Sequence, residues 1–99
     1  MDNFDYNEID DVIHSRIRTA IMAVLAVVEE ADFSFLKNKI NATDGNLSVH
    51  LKKLEDAKYI SSKKLFIDRK PVSKYKITKS GLKAFENYVN KLGSLIKKN

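Results

Sequence analysis

A chain of 99 residues is long enough for one domain and short of two, so a single core is expected, and the absence of cysteine excludes disulfide frameworks, thiolate zinc sites and thiol nucleophiles together. With 43% hydrophobic and 31% charged residues the chain is neither disordered nor membrane-embedded, and its longest apolar stretch, Ala20–Val28, has nine residues, about half of a membrane span. The net charge of +5 is uneven: residues 1–33 carry eight carboxylates against Arg16 and Arg18, a balance of −6, whereas residues 34–99 carry sixteen Lys or Arg against five acids, a balance of +11. Such polarity suits a basic surface facing a polyanion and an acidic surface facing away; a lysine-rich exterior alone is the plainer alternative. The acidic N-terminus lacks the basic start of a signal peptide, so a cytoplasmic protein with no membrane partner is expected.

The first eight residues, polar apart from Phe4 and Tyr6, are expected to form a loose arm or a short turn. A first helix is predicted over 9–30, where Ile9, Val12, Ile13, Ile17, Ala20, Ile21, Val24, Leu25 and Val28 keep one stripe toward a core until Glu29, Glu30 and Asp32 end it. A helix-turn-helix is predicted over 34–57. Its first helix has the stripe Phe33, Leu36 and Ile40, with Ser34 placed to cap it, and Asn41, Ala42 and Thr43 interrupt the pattern. Its second helix starts near Thr43, whose hydroxyl can cap the amide of Asn46, and buries Leu47, Leu51 and Leu54. Beyond Ala57 the period becomes extended, giving a basic hairpin over 60–77 with Asp68, Arg69, Lys70 and Pro71 at its tip. Thr78 is placed to cap a last helix over 79–97, with apolar positions Leu82, Phe85, Tyr88, Val89, Leu92 and Ile96, and with Lys97 and Lys98 in its final turn.

The run Thr43, Asp44, Gly45, Asn46, Leu47, Ser48, Val49, His50, Leu51, Lys52, Lys53, Leu54, Glu55, Asp56, Ala57 resembles the recognition-helix segment of winged helix-turn-helix transcription regulators of the MarR/ArsR type. It is most similar to a small prokaryotic winged-helix family written roughly as TDGNLSxHLxKLExAGYI, and Tyr75–Leu82 resembles that family's Y-x-I/L-T-x-x-G-L ending. The resemblance covers roughly residues 13–90. It implies an α+β, mainly α, winged helix-turn-helix: a three-helix core, a wing of two or three strands, and a C-terminal dimerisation helix. One departure is Lys58, where the family has glycine; a helix exit in the left-handed conformation would strain it mildly.

At about 100° per residue, Leu47, Leu51 and Leu54 face the core while Gly45, Asn46, Ser48, Val49, Lys52 and Lys53 occupy the opposite half. That half suits a major-groove reader: Asn46 offers a bidentate contact to adenine, Ser48 serves either edge, Val49 touches a thymine methyl, and Lys52 and Lys53 suit phosphate or guanine. The alternative is an ordinary solvated face. His50, at the margin of the core, is assigned to packing or phosphate contact. On the hairpin, Arg69 and Lys70 are expected in the minor groove or along phosphates, with Lys64 and Lys74 as further DNA contacts. Arg16 and Arg18 have either phosphate or neighbouring carboxylates as partners.

No catalytic constellation is present. Asp10 with Asp11 and Glu29 with Glu30 are adjacent on predicted helices, His14 and His50 lack spaced partners, and no phosphate loop, G-x-S-x-G turn or H-E-x-x-H occurs. Neither an enzyme nor a metal site nor a cofactor is expected, although a pocket for a small organic effector between the first and last helices stays open. Ile13, Ile17, Phe85, Tyr88, Val89, Leu92 and Ile96 are assigned to a homodimer interface, because one domain of this size reads one groove and a pair reads two. The reading is a dimeric regulator of transcription that binds double-stranded DNA, a repressor by preference; a protein-interaction winged helix and an RNA binder are the alternatives.

Overall fold

The computed structural model of the protein describes residues 5–96, so the expectations for Phe4, Lys97, Lys98 and the side chain of Ile96 lie outside the described residues. A short 3-10 turn, Tyr6–Glu8, precedes α1 (Arg16–Val27), β1 (Ala31–Asp32), α2 (Phe33–Ile40), α3 (Asp44–Asp56), β2 (Ile60–Ile67), β3 (Lys70–Ile77) and α4 (Lys79–Ile96). The three strands form one antiparallel sheet in the order β1-β3-β2.

α1 begins at Arg16, seven residues later than the apolar spacing predicts. Asp10 is the cause: its Oδ1 accepts from the amides of Val12 at 2.9 Å and Ile13 at 3.2 Å, a local turn that competes with helix, and Ser15 then starts α1 by accepting from Arg18 N at 3.0 Å. The turn still carries Ile13 into the core, which is why its spacing imitates a helix. Residues 5–15 are not loose. Asp5 accepts from the Asn7 amide, the Glu8 carboxylate pairs with Lys91 of α4, and His14 Nδ1 lies 2.9 Å from the Tyr88 hydroxyl.

α1 also ends early, at Val27, because Ala31 and Asp32 extend to pair with Tyr75 and Lys74 of β3. Two residues are too few to show an alternating pattern. Asp32, not Ser34, caps α2, accepting from Phe35 N at 2.7 Å. Thr43 caps α3 as its position predicts, at 3.2 Å from Asn46 N. The core collects Ile13, Ile21, Met22, Leu25, Leu36, Leu47, Leu51 and Leu54, all essentially inaccessible, with Ala31, Ile60, Tyr75 and Tyr88 around them. Each such aliphatic side chain contributes about 1.5 to 3 kcal/mol, so three leucines on one side of α3 hold it firmly.

α3 leaves through Lys58 in the left-handed conformation, φ 63°. The Lys58 amide donates to the Glu55 carbonyl at 2.9 Å and the Tyr59 amide to the Leu54 carbonyl at 3.0 Å, the paired bonds of a Schellman exit. Onto this exit docks the start of α4: Thr78 Oγ1 donates to the Lys58 carbonyl at 2.7 Å and accepts from Gly81 N at 3.0 Å. The approach is so close that a Cβ on Gly81 would lie 2.0 Å from the Tyr59 carbonyl oxygen.

The hairpin turns on two residues, Asp68 (φ 52°) and Arg69 (φ 67°), both with the positive φ of a type I′ turn. Ile67 therefore closes on Lys70, and Pro71 belongs to β3 opposite Phe66 rather than to the tip. Bonding alternates along an antiparallel ladder, so Phe66 and Pro71 form a non-hydrogen-bonded pair. The missing N–H faces the edge of β3 that β1, paired only at Lys74 and Tyr75, does not reach.

Candidate nucleic-acid interface

With its leucines inward, α3 turns Gly45, Asn46, Ser48, Val49, Lys52 and Lys53 to solvent, and Val49, opposite the buried stripe, is 54% exposed. Lys37 of α2 meets Asp44 at 2.8 Å and fastens the two helices at the start of α3. Lys52 is not a free cation, because its Nζ meets Asp56 Oδ1 at 2.9 Å. That hydrogen bond and the Asp56 charge raise the lysine above its ordinary value. Lys53 enters no salt bridge among the described residues.

His50 is half-buried beside α1, with Nδ1 2.8 Å from Arg18 Nη1. A guanidinium only donates, so Nδ1 accepts and the imidazole is neutral with its proton on Nε2. Burial first, then the charges of Arg18 and Lys53, hold His50 below the usual histidine range. Arg18 is itself anchored: Nε donates to the Val12 carbonyl and Nη2 to the Asp11 carbonyl at 3.4 Å. Its partners within the chain are thus backbone carbonyls and a histidine, not the neighbouring carboxylates.

The wing is set against α3 at its base by Ser62 Oγ, which donates to Glu55 Oε2 at 2.6 Å. Side chains alternate along a strand, so Lys64 shares a face with Ser62 and Ile60, the face that meets the core and α3. Arg69 and Lys70 stand exposed at the tip. Lys74 belongs to the other face, where with Lys63 it reaches Glu30 at 3.5 and 3.6 Å. Burial works to raise Glu30, but Lys63 and Lys74 outweigh it and hold the carboxyl below its ordinary value. Of the ten residues assigned to DNA contact, Lys74 is therefore separated from the rest by an ion pair that bridges the sheet to the end of α1.

The dimer assignment needs correction. Ile13 and Tyr88 are taken up by the chain's own core, at 0% and 5% exposure, and offer nothing to a partner. Ile17, Phe85 and Leu92 are partly buried against that core. Val89 is exposed at 49%, and Leu82, Leu95 and Val27, which the dimer assignment leaves out, are exposed as well. Leu82, Phe85 and Val89 lie about 60° to 120° around α4 from buried Tyr88, and with Ala26 of α1 they line a shallow groove of about 500 Å³. A larger open groove, about 960 Å³, runs between residues 7–11 and α4, with Tyr59, Tyr88, Asn87 and Lys91 on its walls. Tyr59 donates its hydroxyl to Asp10 Oδ2 at 2.6 Å, and that bond, with burial, pushes it up to about 12.

Among the described residues no group of three or more His, Asp or Glu side chains is placed to hold a metal ion, and no helix is long and apolar enough to cross a membrane. The contacts that escape sequence reading are Arg18 to His50 and Glu55 to Ser62; neither leaves a signal in the spacing of its own element.

Residues 17–96 match the sequence profile of the winged helix DNA-binding domain. The chain is 41% identical over 86 residues to an uncharacterized protein of Methanocaldococcus jannaschii, covering 87% of this chain and 94% of that one. Among solved structures it is similar to a transcriptional regulator homologue protein from Pyrococcus horikoshii OT3, with a TM-score of 0.82, 26% identity, and coverage of 88% of this chain and 86% of that one. It shares its fold with NadR, solved in complex with 4-hydroxyphenylacetate, with a TM-score of 0.72 and 22% identity over 90% of this chain and 62% of NadR. A three-helix core whose third helix presents a polar face beside a basic hairpin, matched over residues 17–96, places this chain in the winged helix DNA-binding domain family.

Proposed function

We propose that the protein is a dimeric, sequence-specific regulator that binds double-stranded DNA, reads the major groove with α3, and represses by occupying its site. The observation that carries this is the solvent face of α3, where Asn46, Ser48 and Val49 stand exposed on a helix locked from behind by Leu47, Leu51 and Leu54. An amide for adenine, a hydroxyl for either groove edge and a methyl-bearing side chain for thymine are thereby held on a rigid element. Lys53 and the Nε2–H of His50 serve the phosphates, Lys52 offsets the repulsion of Asp56, and Lys64, Arg69 and Lys70 reach the adjacent backbone or minor groove.

Two copies pair through the groove of Ala26, Leu82, Phe85 and Val89. Two-fold symmetry then asks for an inverted repeat with half-sites about 10 base pairs apart. The groove beside residues 7–11 is the place for a small organic effector, by analogy with the ligand that NadR holds.

Selection from a pool of random duplexes, followed by affinity measurements at several salt concentrations, tests this reading. The expected outcome is an inverted repeat bound with a log–log salt slope of about −5 to −9, for about 6 to 10 neutralised phosphates. Sedimentation should give a dimer that Val89→Asp splits without unfolding. Affinity indifferent to salt, or equal for single strands and RNA, removes the DNA reading; a site without symmetry removes the dimer.

A further inference from the structure

On the sheet, the most exposed apolar surface lies at the far end of the wing. Phe66 is 77% exposed and Ile67 47%, and exposed Pro71 stands directly across the ladder from Phe66. A single exposed apolar residue is ordinary. An aromatic ring and a cross-strand proline on one face of the ladder, with Ile67 exposed on the opposite face and cations around them, is not. Lys64 lies on the same strand face as Phe66, Arg69 and Lys70 form and follow the turn, and Asp68 is the lone carboxylate. Among the described residues none of Lys64, Arg69 and Lys70 enters a salt bridge.

The charge selects the occupant. An apolar pocket on a protein has no use for three uncompensated cations around the anchor, whereas a base stack flanked by phosphates needs both a flat apolar group and a positive rim. Reach agrees with this. Phe66 lies six residues along β2 from Ile60, where the strand begins after the α3 exit, about 20 Å at strand rise, and half a turn of duplex, from a major groove to the next minor groove, is about 17 Å. The ladder runs unbroken from Ile60–Ile77 to Ile67–Lys70 and closes in a two-residue turn, so the ring is carried on a stiff element.

Resting on the DNA-binding reading above, we infer that Phe66 is a wedge: braced by Pro71, it enters between two base pairs from the minor groove while Lys64, Arg69 and Lys70 hold the flanking phosphates, so that the protein kinks the DNA it binds. Apolar side chains inserted in this way unstack one step and bend the duplex by about 20° to 90°. Pyrimidine–purine steps unstack most readily. A TA or CA step is therefore expected about half a turn from the centre of each half-site.

The experiment uses the duplex recovered from the random pool, end-labelled for energy transfer to read the bend, with 2-aminopurine placed singly at each flanking step to read unstacking. The wild-type protein should bend it by tens of degrees and brighten one step per half-site. Phe66→Ala should straighten the duplex and abolish the brightening, yet keep the half-site preference and the salt slope, since no charge is lost. Phe66→Leu should retain most of both signals. The ring covers nothing in the fold, so circular dichroism should show Phe66→Ala folded. Tight binding to a straight, fully stacked duplex overturns the wedge and leaves the DNA-binding reading intact. So does a Phe66→Ala variant that bends DNA as before, or one whose only change is a lower oligomeric state. Failure to bind any duplex overturns both.

Discussion

Tyr59 is gripped from two sides by different means. Its carbonyl oxygen accepts from the Thr78 amide at 3.0 Å, with the Thr78 hydroxyl at 3.1 Å and Gly81 closing over it without a side chain, so the start of α4 is seated on it by backbone contact. Its hydroxyl donates to Asp10, one of the polar ties, along with His14 to Tyr88 and Glu8 to Lys91, that hold residues 5–15 across the domain. The first grip is steric and has no slack. The second is made of partly exposed polar side chains, each worth about 1 kcal/mol. One sets the geometry between α3, the wing and α4; the other can be loosened without changing that geometry.

The largest effect should follow from breaking the backbone grip. Gly81→Ala puts a methyl group 2.0 Å from a carbonyl oxygen, so the start of α4 must move off the α3 exit. A loss of about 3 kcal/mol or more is expected, or about 12 to 24 °C in the melting midpoint of a domain this size. Gly93→Ala is the control, since nothing lies within 4 Å of its added Cβ. Inside a helix the same change should stabilise by about 0.5 to 1 kcal/mol. Calorimetry of the two variants checks the contrast: equal shifts would show that helix propensity, not the approach to Tyr59, governs both.

Next comes the side-chain grip. Asp10→Ala removes the hydroxyl bond to Tyr59 and the two amide bonds that turn the chain before α1, for a loss of about 2 kcal/mol. Tyr59, held up at about 12 in the intact protein, should then titrate nearer 10. Because the folded value is the higher one, the stability from this bond is complete below about pH 10 and is lost as pH rises toward about 12. Ultraviolet titration of the tyrosines reads the change directly. An unaltered late transition in Asp10→Ala would assign it to another tyrosine.

The same contrast explains what can be read from the chain. The helix-turn-helix and the wing are legible because their signals are local: Thr43 is three residues from the amide it caps, Leu47, Leu51 and Leu54 repeat on one face, and Ile60–Ile67 is bounded by a turn. The true start of α1 is not, because Ile9, Val12 and Ile13 keep helical spacing through a turn that Asp10 imposes. Apolar spacing also cannot say what covers a stripe, so Ile13 and Tyr88 read equally well as interface or core. Lys74 reads as a DNA contact for a similar reason. Its partner Glu30 lies in the short link to β1, far away in the sequence.

A third prediction tests the join between the two grips at the recognition helix. His50, held below its ordinary value by burial and by Arg18 and Lys53, resists the proton that an unfolded chain accepts. Stability from this site is therefore complete above the ordinary histidine value, about 6.5, and is lost as pH falls through the lower folded value. His50→Gln keeps an acceptor for Arg18 and cannot titrate. Unfolding free energies measured between pH 7.5 and pH 5 should fall less in the variant than in the parent. Parallel curves would show that the Arg18–His50 bond carries no linkage.

The smallest effect returns to the backbone grip and should be favourable. Lys58 holds the left-handed conformation, φ 63°, that completes the exit of α3, and its side chain is exposed. A lysine there pays a steric cost that glycine avoids, about 1 to 2 kcal/mol by the handedness of L-residues, while glycine loses more chain entropy on folding, about 0.5 to 1 kcal/mol. The difference leaves Lys58→Gly stabilised by about 0.5 kcal/mol. Lys58→Ala should bring no such gain, since it keeps the left-handed strain. The glycine variant should also leave half-site preference unchanged, because the Lys58 and Tyr59 amide bonds to the Glu55 and Leu54 carbonyls are backbone bonds that glycine makes as well. A glycine variant less stable than the parent would mean that the lysine side chain holds the exit by a contact stronger than the strain it bears.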